Sequence, residues 1–479
     1  MNLPTQHSDI LIVGAGPTGM LLAGDLAEAG LSVTVVEKRP HEISNLSRAF
    51  VLHSRTMELL DARGLVEETE AAGLAKIRRL RLFGSAMIDF ARLPSRFNHA
   101  SLLPQFKLEP ILEDRARRAG ARLVYDSALT GLEQDADGVT ATVEHDGETI
   151  EHRARYLVGT DGIHSAVRHA LGVGFPGRSA LRSMMLADVQ LGGRPPETLT
   201  AVGNKHGLAF IAPFGDDWYR IFAWRRGHEK PDFAPLEFEE VRRAFLDVTG
   251  TDYGMRDPRW VSRFHSDERQ AERYRVGRVF LAGDAAHVHS PAGGQGLNTG
   301  MQDAANLSWK LVSVLNGAPE ALLDTYESER HPVGEAVLRS SGAILRIGKL
   351  ANPFLRLLRS ASVPLAELPA VNRKIASEVT ALSVSYPAPR GAHRAVGHRV
   401  PDLVLSDGRR LYEALRGGRF AAVNVGDVGS ERVEAVESPG APAVLVRPDG
   451  YAAWAGDRSG YSKAVRDNVG PERGRQVTA

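Results

Sequence analysis

The chain has 479 residues, enough for two or three domains, and its 43% hydrophobic and 24% charged content is that of an ordinary globular protein with a large core. A net charge of +1 without blocks of like charge argues against nucleic acid or an anionic membrane as partner and leaves a small molecule. The lack of cysteine excludes disulfides, thiolate nucleophiles, iron–sulfur clusters and zinc–thiolate sites; the early apolar run Ile10 to Val13 is too short for a signal or membrane span, so a cytoplasmic location is expected.

Asp9 to Val13 reads as a buried strand running straight into Gly14-Ala15-Gly16-Pro17-Thr18-Gly19 and an apolar helix, Met20 to Ala29. A second strand, Ser32 to Val36, ends at Glu37. Strand, G-x-G-x-x-G, helix, strand and an acid about 20 residues on form the dinucleotide-binding fingerprint in its required context. Gly14 makes the turn, Gly16 admits a pyrophosphate, Gly19 lets helix and strand close up, and Glu37 suits an adenosine ribose. Pro17 and Ala23 are at least as compatible with FAD as with NAD, and the acid at 37 disfavours a 2′-phosphate here.

Residues 40 to 55 read as a loop whose Arg48 is placed to reach an anionic group, followed by a helix Arg55 to Arg63 closed by Gly64. Short strands are expected between about 75 and 103, then a helix Leu108 to Ala119. Asp137-Gly138 and Asp146-Gly147 are turn signals that imply a three-stranded meander. A further strand, Tyr156 to Gly159, ends at Asp161-Gly162 before a helix from Ser165.

From about 178 to 272 the runs Ser183 to Leu191, Leu208 to Pro213 and Tyr219 to Trp224 predict an antiparallel second lobe, flanked by helices near Phe238 to Val248 and Asp267 to Tyr274. Phe222 and Trp224 share a strand face, which suits core packing or substrate contact.

The stretch Arg278 to Gly317 holds a short strand, Val279 to Ala282, a carboxylate at Gly283-Asp284, a bare loop Gly293-Gly294-Gln295-Gly296 and a helix capped by Asn298 or Thr299 with apolar positions Met301, Ala305, Trp309, Val312 and Leu315. A carboxylate, an unencumbered backbone and a positive helix end suit a planar ligand that carries hydroxyls and develops negative charge. His287 and His289 form an H-x-H pair without a third ligand, and no metal is expected. Helices Glu320 to Arg330 and Val333 to Leu350 follow, continuing less regularly to about Val379. From about 395, strands Leu403 to Leu405, Phe420 to Val425, Ala443 to Val446 and Ala452 to Trp454 with a helix near Leu411 to Leu415 suggest a small α/β domain.

The triple GAGPTG at 14–19, TDGIHSAVR at 160–168 and GDAAHVHSPAGGQGLNTGMQDAANLSWKL at 283–311 resembles the single-component FAD-dependent aromatic hydroxylases, the para-hydroxybenzoate hydroxylase fold, most of all the branch acting on aromatic polyketides. The resemblance implies an α/β fold: a Rossmann-like FAD domain (residues 1–177 and 273–385), an inserted antiparallel-sheet substrate domain (178–272) and a thioredoxin-like C-terminal domain (395–479). It assigns Gly14, Gly16, Pro17, Thr18, Gly19, Glu37 and Lys38 to the adenosine end. Arg48 and Gln105 go to the phosphate and ribityl region, Gly283 and Asp284 to the ribityl chain, and Asp161 and Gly162 to the pyrophosphate and the approach of NADPH or NADH. Pro291, Gly293, Gly294, Gln295, Gly296, Leu297 and Asn298 would lie along the flavin ring.

The implied reaction is ring hydroxylation through a flavin C4a-hydroperoxide, with FAD as cofactor, NAD(P)H as transient reductant and O₂ as co-substrate. No catalytic base is named. His206, Arg220, Phe222 and Trp224, with Arg48 and Arg225, are candidate substrate contacts. A monomer or homodimer is expected, without nucleic acid or membrane. Competing readings are a Baeyer–Villiger or antibiotic-inactivating monooxygenase of the same fold, an O₂-independent flavin oxidoreductase, and a binding protein without turnover.

Overall fold

The structure, a computed structural model, describes residues 5–42, 49–83, 87–231, 233–426, 430–457 and 460–471. Strands β1 (Gln6–Val13) and β2 (Val33–Val36) enclose helix α1 (Pro17–Glu28). Val13 pairs in parallel register with both Val36 and Gly159, and Gly159 with Leu281. Near-continuous apolar strands of this kind are covered on both faces, and Ile10, Leu11 and Ile12 are fully buried. The fingerprint, Glu37, Asp161-Gly162 and Gly283-Asp284 therefore all follow strand ends at one edge of one sheet.

After α2 (Ser54–Asp61) and α3 (Gln105–Arg118) comes the meander β3 (Ser127–Gln134), β4 (Val139–His145) and β5 (Glu148–Gly159). The expected third meander strand and the expected strand Tyr156 to Gly159 are one 12-residue strand: its first half pairs with β4 and its second half with β1.

The inserted sheet contains β6 (Gly177–Gln190), β7 (Gly207–Gly215), β8 (Trp218–Arg225) and β9 (Arg256–Gln270), bounded by Thr200–Gly203 at one edge and His287–Val288 at the other. Met185, Ala187, Ile211, Ile221 and Ala223 pack against α4 (Phe238–Thr249) on one face. Leu186, Leu208, Phe222, Trp224 and Phe264 line the other, which turns towards the first lobe. The helix expected over Asp267 to Tyr274 is instead the end of β9. Phe264, Ser266, Glu268 and Gln270 are buried at every second position, and period-two burial is strand geometry.

Strand β10 (Val279–Leu281) leads through a short 3₁₀ turn, Gly283–Ala285, and the loop to α5 (Gly296–Leu315). This helix is buried from Asn298 to Ser313, its polar positions included. Neither Asn298 nor Thr299 caps it: the cap position is Gln295, which makes no side-chain cap bond.

The two expected helices from Glu320 to Leu350 are a 3₁₀ turn, Glu320–Leu323, and one helix α6 (Asp324–Gly348) that runs through Pro332. Its buried face, including Tyr326, Arg330, Val333 and Leu345, holds it across the missing N–H, and Gln270 Nε2 donates to the His331 carbonyl beside the proline (2.8 Å). Helices α7 (Pro353–Ala366) and α8 (Pro369–Val379) follow.

The C-terminal domain is a four-stranded sheet in the order Val433–Val436, Phe420–Val423, Val444–Val446, Ala452–Ala455, with helices Leu411–Ala414 and Tyr461–Asn468. Val433–Val436 and the last helix went unread, and the expected strand Leu403 to Leu405 is a single bridge between Val404 and Arg410.

Buried ion pairs fasten this domain to the first lobe. Arg447 donates to both oxygens of Glu329 on α6 (2.8 and 3.0 Å) and to Asp449, while Lys310 and Asn306 of α5 reach the same Glu329 (2.9 and 2.6 Å). Arg399 joins Glu58 of α2 (3.0 Å). The side chains of Arg447, Glu329 and Lys310 are all buried, so removing one partner strands the others away from water. Arg447→Ala is expected to destabilise the protein by about 3–5 kcal/mol. Urea denaturation checks this, and an unchanged midpoint would refute it.

Candidate functional site

Gly14 sits at φ +106°, outside the range of ordinary residues, and a Cβ there would lie 2.5 Å from the Thr160 carbonyl. The glycine-rich turn is thus pressed onto Thr160-Asp161. Thr160 Oγ1 donates to the Gly14 carbonyl (2.8 Å), and Gly19 packs on that same carbonyl. Thr18 Oγ1 lies where Cβ atoms at Gly283 and Gly300 would stand (2.8 and 2.5 Å away). The first motif therefore interlocks with both the second and the third.

A dinucleotide fits this edge. Cβ positions at Gly16 and Gly162 meet nothing within 4 Å, so the space beyond α1 is open. Helix α1 begins with Pro17 and has no side-chain cap, leaving its N–H groups for an anion. Asp161 accepts from Val167 N (3.1 Å) through one oxygen, and its other oxygen is buried without a protein partner among the described residues. Burial raises its carboxyl above the usual range against hydrogen bonds from Ser165 and Val167.

Glu37 is buried and accepts from Ala15 N (2.8 Å), Arg39 N (3.0 Å) and Arg39 Nε (2.9 Å). Burial pushes its carboxyl up, but the Arg39 and Ala15 hydrogen bonds outweigh it and hold the group below the usual range. Arg39 had no role in the sequence reading. Lys38 is exposed, and Gln105, the first residue of α3, donates to Glu109 (2.8 Å). Arg48 lies outside the described residues. Asp284 is exposed on the turn after β10, and Pro291 is exposed at the start of the loop.

The loop 291–296 is clamped from behind. Asn298 accepts from His53 N (2.8 Å) and donates to the Val51 and Gly294 carbonyls (2.9 and 2.7 Å), while His53 Nε2 donates to the Gly293 carbonyl (2.7 Å). Gly294 sits at φ +63°, with its Cβ position 3.2 Å from Val51 Cβ. Gln295 accepts from Ser340 of α6 (3.1 Å), and Gly296 and Leu297 open α5, half-buried. His53 was missed because its partners lie about 240 residues away in the chain.

Behind the 3₁₀ turn, Asp303 binds His287 Nε2 (2.6 Å), Arg330 Nε (2.6 Å) and Gly283 N (3.1 Å). His287 thus belongs to a buried hydrogen-bond network. His289 packs at a tilt against it with ring centroids 4.8 Å apart.

Of the substrate candidates, Phe222 and Trp224 lie on the face turned towards the loop, in one cluster with Phe50, Phe214, Leu345 and Ala292 of the loop itself. Phe50, Phe210 and Phe222 stand 5.6 to 6.2 Å apart, ring to ring. Arg220 is fully buried in a bidentate pair with Asp188 (both contacts 2.8 Å) and lies over the Phe214 ring (3.6 Å). His206 is exposed in the turn before β7, and Arg225 pairs with Asp247 of α4 (2.9 Å), so neither is brought to the loop.

Burial lowers the His53 imidazole to about 4, against the opposing hydrogen bond to Gly293. The unfolded chain protonates near pH 6.5 and the folded one only near pH 4, so this contribution is complete above about pH 6.5 and is lost as pH falls through that window. The stability of His53→Gln should accordingly fall less steeply between pH 6.5 and 4 than that of the parent. Parallel pH profiles of the denaturation midpoint would contradict the assignment.

The family described as "FAD binding domain" matches residues 7–341, and that described as "Aromatic-ring hydroxylase, C-terminal" matches residues 393–471. A rifampicin monooxygenase of Streptomyces venezuelae is 40% identical over 462 residues, covering 94% of this chain and 96% of that protein. A 12-dehydrotetracycline 5-monooxygenase/anhydrotetracycline 6-monooxygenase of Streptomyces rimosus subsp. rimosus is 39% identical, covering 97% and 99%. The solved structure of OxyS, an anhydrotetracycline hydroxylase from Streptomyces rimosus, superposes with a TM-score of 0.87 at 38% identity, covering 98% of this chain and 100% of that one. The three interlocked motifs and these matches agree: the chain belongs to the FAD-binding aromatic-ring hydroxylases and is a FAD-dependent monooxygenase.

Proposed function

We propose that the enzyme uses NADPH, or NADH, and O₂ to hydroxylate a polycyclic aromatic polyketide held between the inner face of the inserted sheet and the loop 291–296. The observation that carries this reading is the aromatic wall of Phe50, Phe210 and Phe222 in the cluster that also contains Ala292 of the loop. A flat apolar ligand suits such a wall through area burial and ring stacking.

The residues that would hold FAD are Gly14 to Gly19 and Glu37 at the adenosine end, Asp161-Gly162 near the pyrophosphate, Asp284 at the ribityl chain, and Pro291 to Asn298 at the ring. When bound, FAD supplies the electron transfer and oxygen activation that side chains cannot. The protein's own part is positioning, water exclusion and electrostatics. His53 and Asn298 hold the loop backbone at the Gly293 and Gly294 carbonyls, and two further hydrogen bonds tie Asn298 to His53 N and the Val51 carbonyl. The N-terminus of α5 places a positive dipole end beside that loop, where it favours developing negative charge. Asp188 neutralises Arg220 within the sheet, so orientation of the substrate falls to shape and stacking.

The rifampicin monooxygenase relative supports a second reading, insertion of oxygen into a finished antibiotic. NADPH oxidation and O₂ uptake, measured with anhydrotetracycline-type polycyclic phenols and with rifampicin, separate the two readings. Stimulation by the phenols, with the new oxygen located on a ring carbon by NMR, is expected. Stimulation by rifampicin alone would transfer the assignment, and stimulation by no aromatic would overturn both. Asp284→Ala should weaken FAD retention about tenfold to a hundredfold, the effect of removing a charge-assisted hydrogen bond of about 1.5–3 kcal/mol. Unchanged flavin content after gel filtration would refute the ribityl role.

A further inference from the structure

The two glycines at the centre of the loop, Gly293 and Gly294, sit at φ +92° and +63°, in the left-handed region that favours glycine. A peptide between two such residues turns over at little cost, so nothing local decides which way its carbonyl points. The decision comes from His53. Its Nε2 donates to the Gly293 carbonyl (2.7 Å), and its Nδ1 is buried without a partner among the described residues, so the ring carries its proton on Nε2. Burial keeps this imidazole neutral down to about pH 4, and it acts on the loop as a hydrogen-bond donor, not as a charge. Beside it, the N–H groups of Gly296, Leu297 and Asn298, in the first turn of α5, have no acceptor among the described residues.

We propose that His53 is a positioning residue for the flavin: by holding the Gly293 carbonyl on its own side of the loop, it leaves the bare N–H groups of α5 as the polar edge that the ring's N1–C2=O group meets. This rests on the reading that Pro291 to Asn298 lie along the flavin ring. A carbonyl turned to the ring would set a negative dipole end beside the charge that the ring gains on reduction, whereas N–H donors and a helix N-terminus stabilise that charge. His53 therefore favours the reduced form of the bound cofactor without touching the substrate. The hold on Asn298 does not depend on the imidazole, because His53 meets Asn298 through its backbone N–H (2.8 Å). Removing the side chain frees the Gly293 carbonyl alone.

The test uses the full-length, FAD-loaded protein, without substrate, NADPH or O₂. His53→Gln places an amide N–H where Nε2 stands, and the amide of His53→Asn is one methylene too short to reach Gly293. The flavin midpoint potential, measured against a reference dye, should be that of the parent in His53→Gln. In His53→Asn the balance should shift towards oxidised flavin about five- to thirtyfold, the reach of a helix-end dipole on a partly buried charge, or about 20–45 mV for a two-electron couple. His53→Leu, apolar beside the Phe90 ring, should match His53→Asn, which separates loss of the donor from a new polar contact. In the parent, the reduced flavin should lose its N1 proton at a lower pH than free reduced FAD, and the two donor-less variants should give back part of that difference. A potential unchanged in both of them, or shifted equally in His53→Gln, would overturn the role of His53. A parent whose reduced flavin ionises at the same pH as free FAD would instead remove the loop from the ring edge, and with it the reading on which the proposal rests.

Discussion

One buried carboxylate organises the edge where the strand ends meet. Asp303 on α5 accepts hydrogen bonds from the Gly283 backbone, from His287 and from Arg330, and the side chains of Asp303, His287 and Arg330 are out of water. Burial raises its carboxyl, but the charges of His287 and Arg330 outweigh this and bring it to about 2. The group is therefore an anion at every working pH, and its partners cannot relax away without leaving it uncompensated. Through Gly283 it fixes the turn that carries Asp284. Through Arg330, which also donates to the Thr299 carbonyl (3.1 Å), it fixes the start of α5.

The same helix pair carries the constraint to the C-terminal domain. Arg330 and Glu329 are neighbours on α6: the first reaches Asp303 and the Tyr386 hydroxyl, the second binds Arg447 and Lys310. Tyr386 packs at a tilt against Tyr451 of the C-terminal domain with centroids 4.3 Å apart. The domain thus braces α5 and α6 from behind, while the loop at the front of α5 stays against the aromatic wall of the inserted sheet. The thiol-free C-terminal domain is thus in contact with both helices that position the loop.

The candidate site was legible in the chain where it depends on backbone. Gly14 to Gly19, Asp161-Gly162 and Gly283-Asp284 announce themselves because a tight turn between a buried strand and a helix tolerates few residues, and the structure brings all three to one edge. Side chains whose partners are distant were not legible. His53 and Asn298 clamp the loop across more than 200 residues of chain, and Asn298 was read as a helix cap because that is the local role of an asparagine at a helix start. Arg220 is a candidate substrate contact by its place on the strand, but β6 delivers Asp188 directly opposite it.

By itself, then, the sequence determined the α/β class, the dinucleotide fingerprint and the antiparallel insertion, because hydrophobic period and glycine spacing are local properties of the chain; the flavin chemistry followed from the family resemblance that its three motifs carry. Tertiary structure alone decided that Asp267 to Gln270 is strand and that Pro332 lies within a continuous helix, since pairing with β6 and packing of α6 override local preference. It alone decided that Asp303 is the partner of His287. These outcomes depend on which distant groups are brought together in a water-free interior, where an unpaired charge costs more than any local propensity can return.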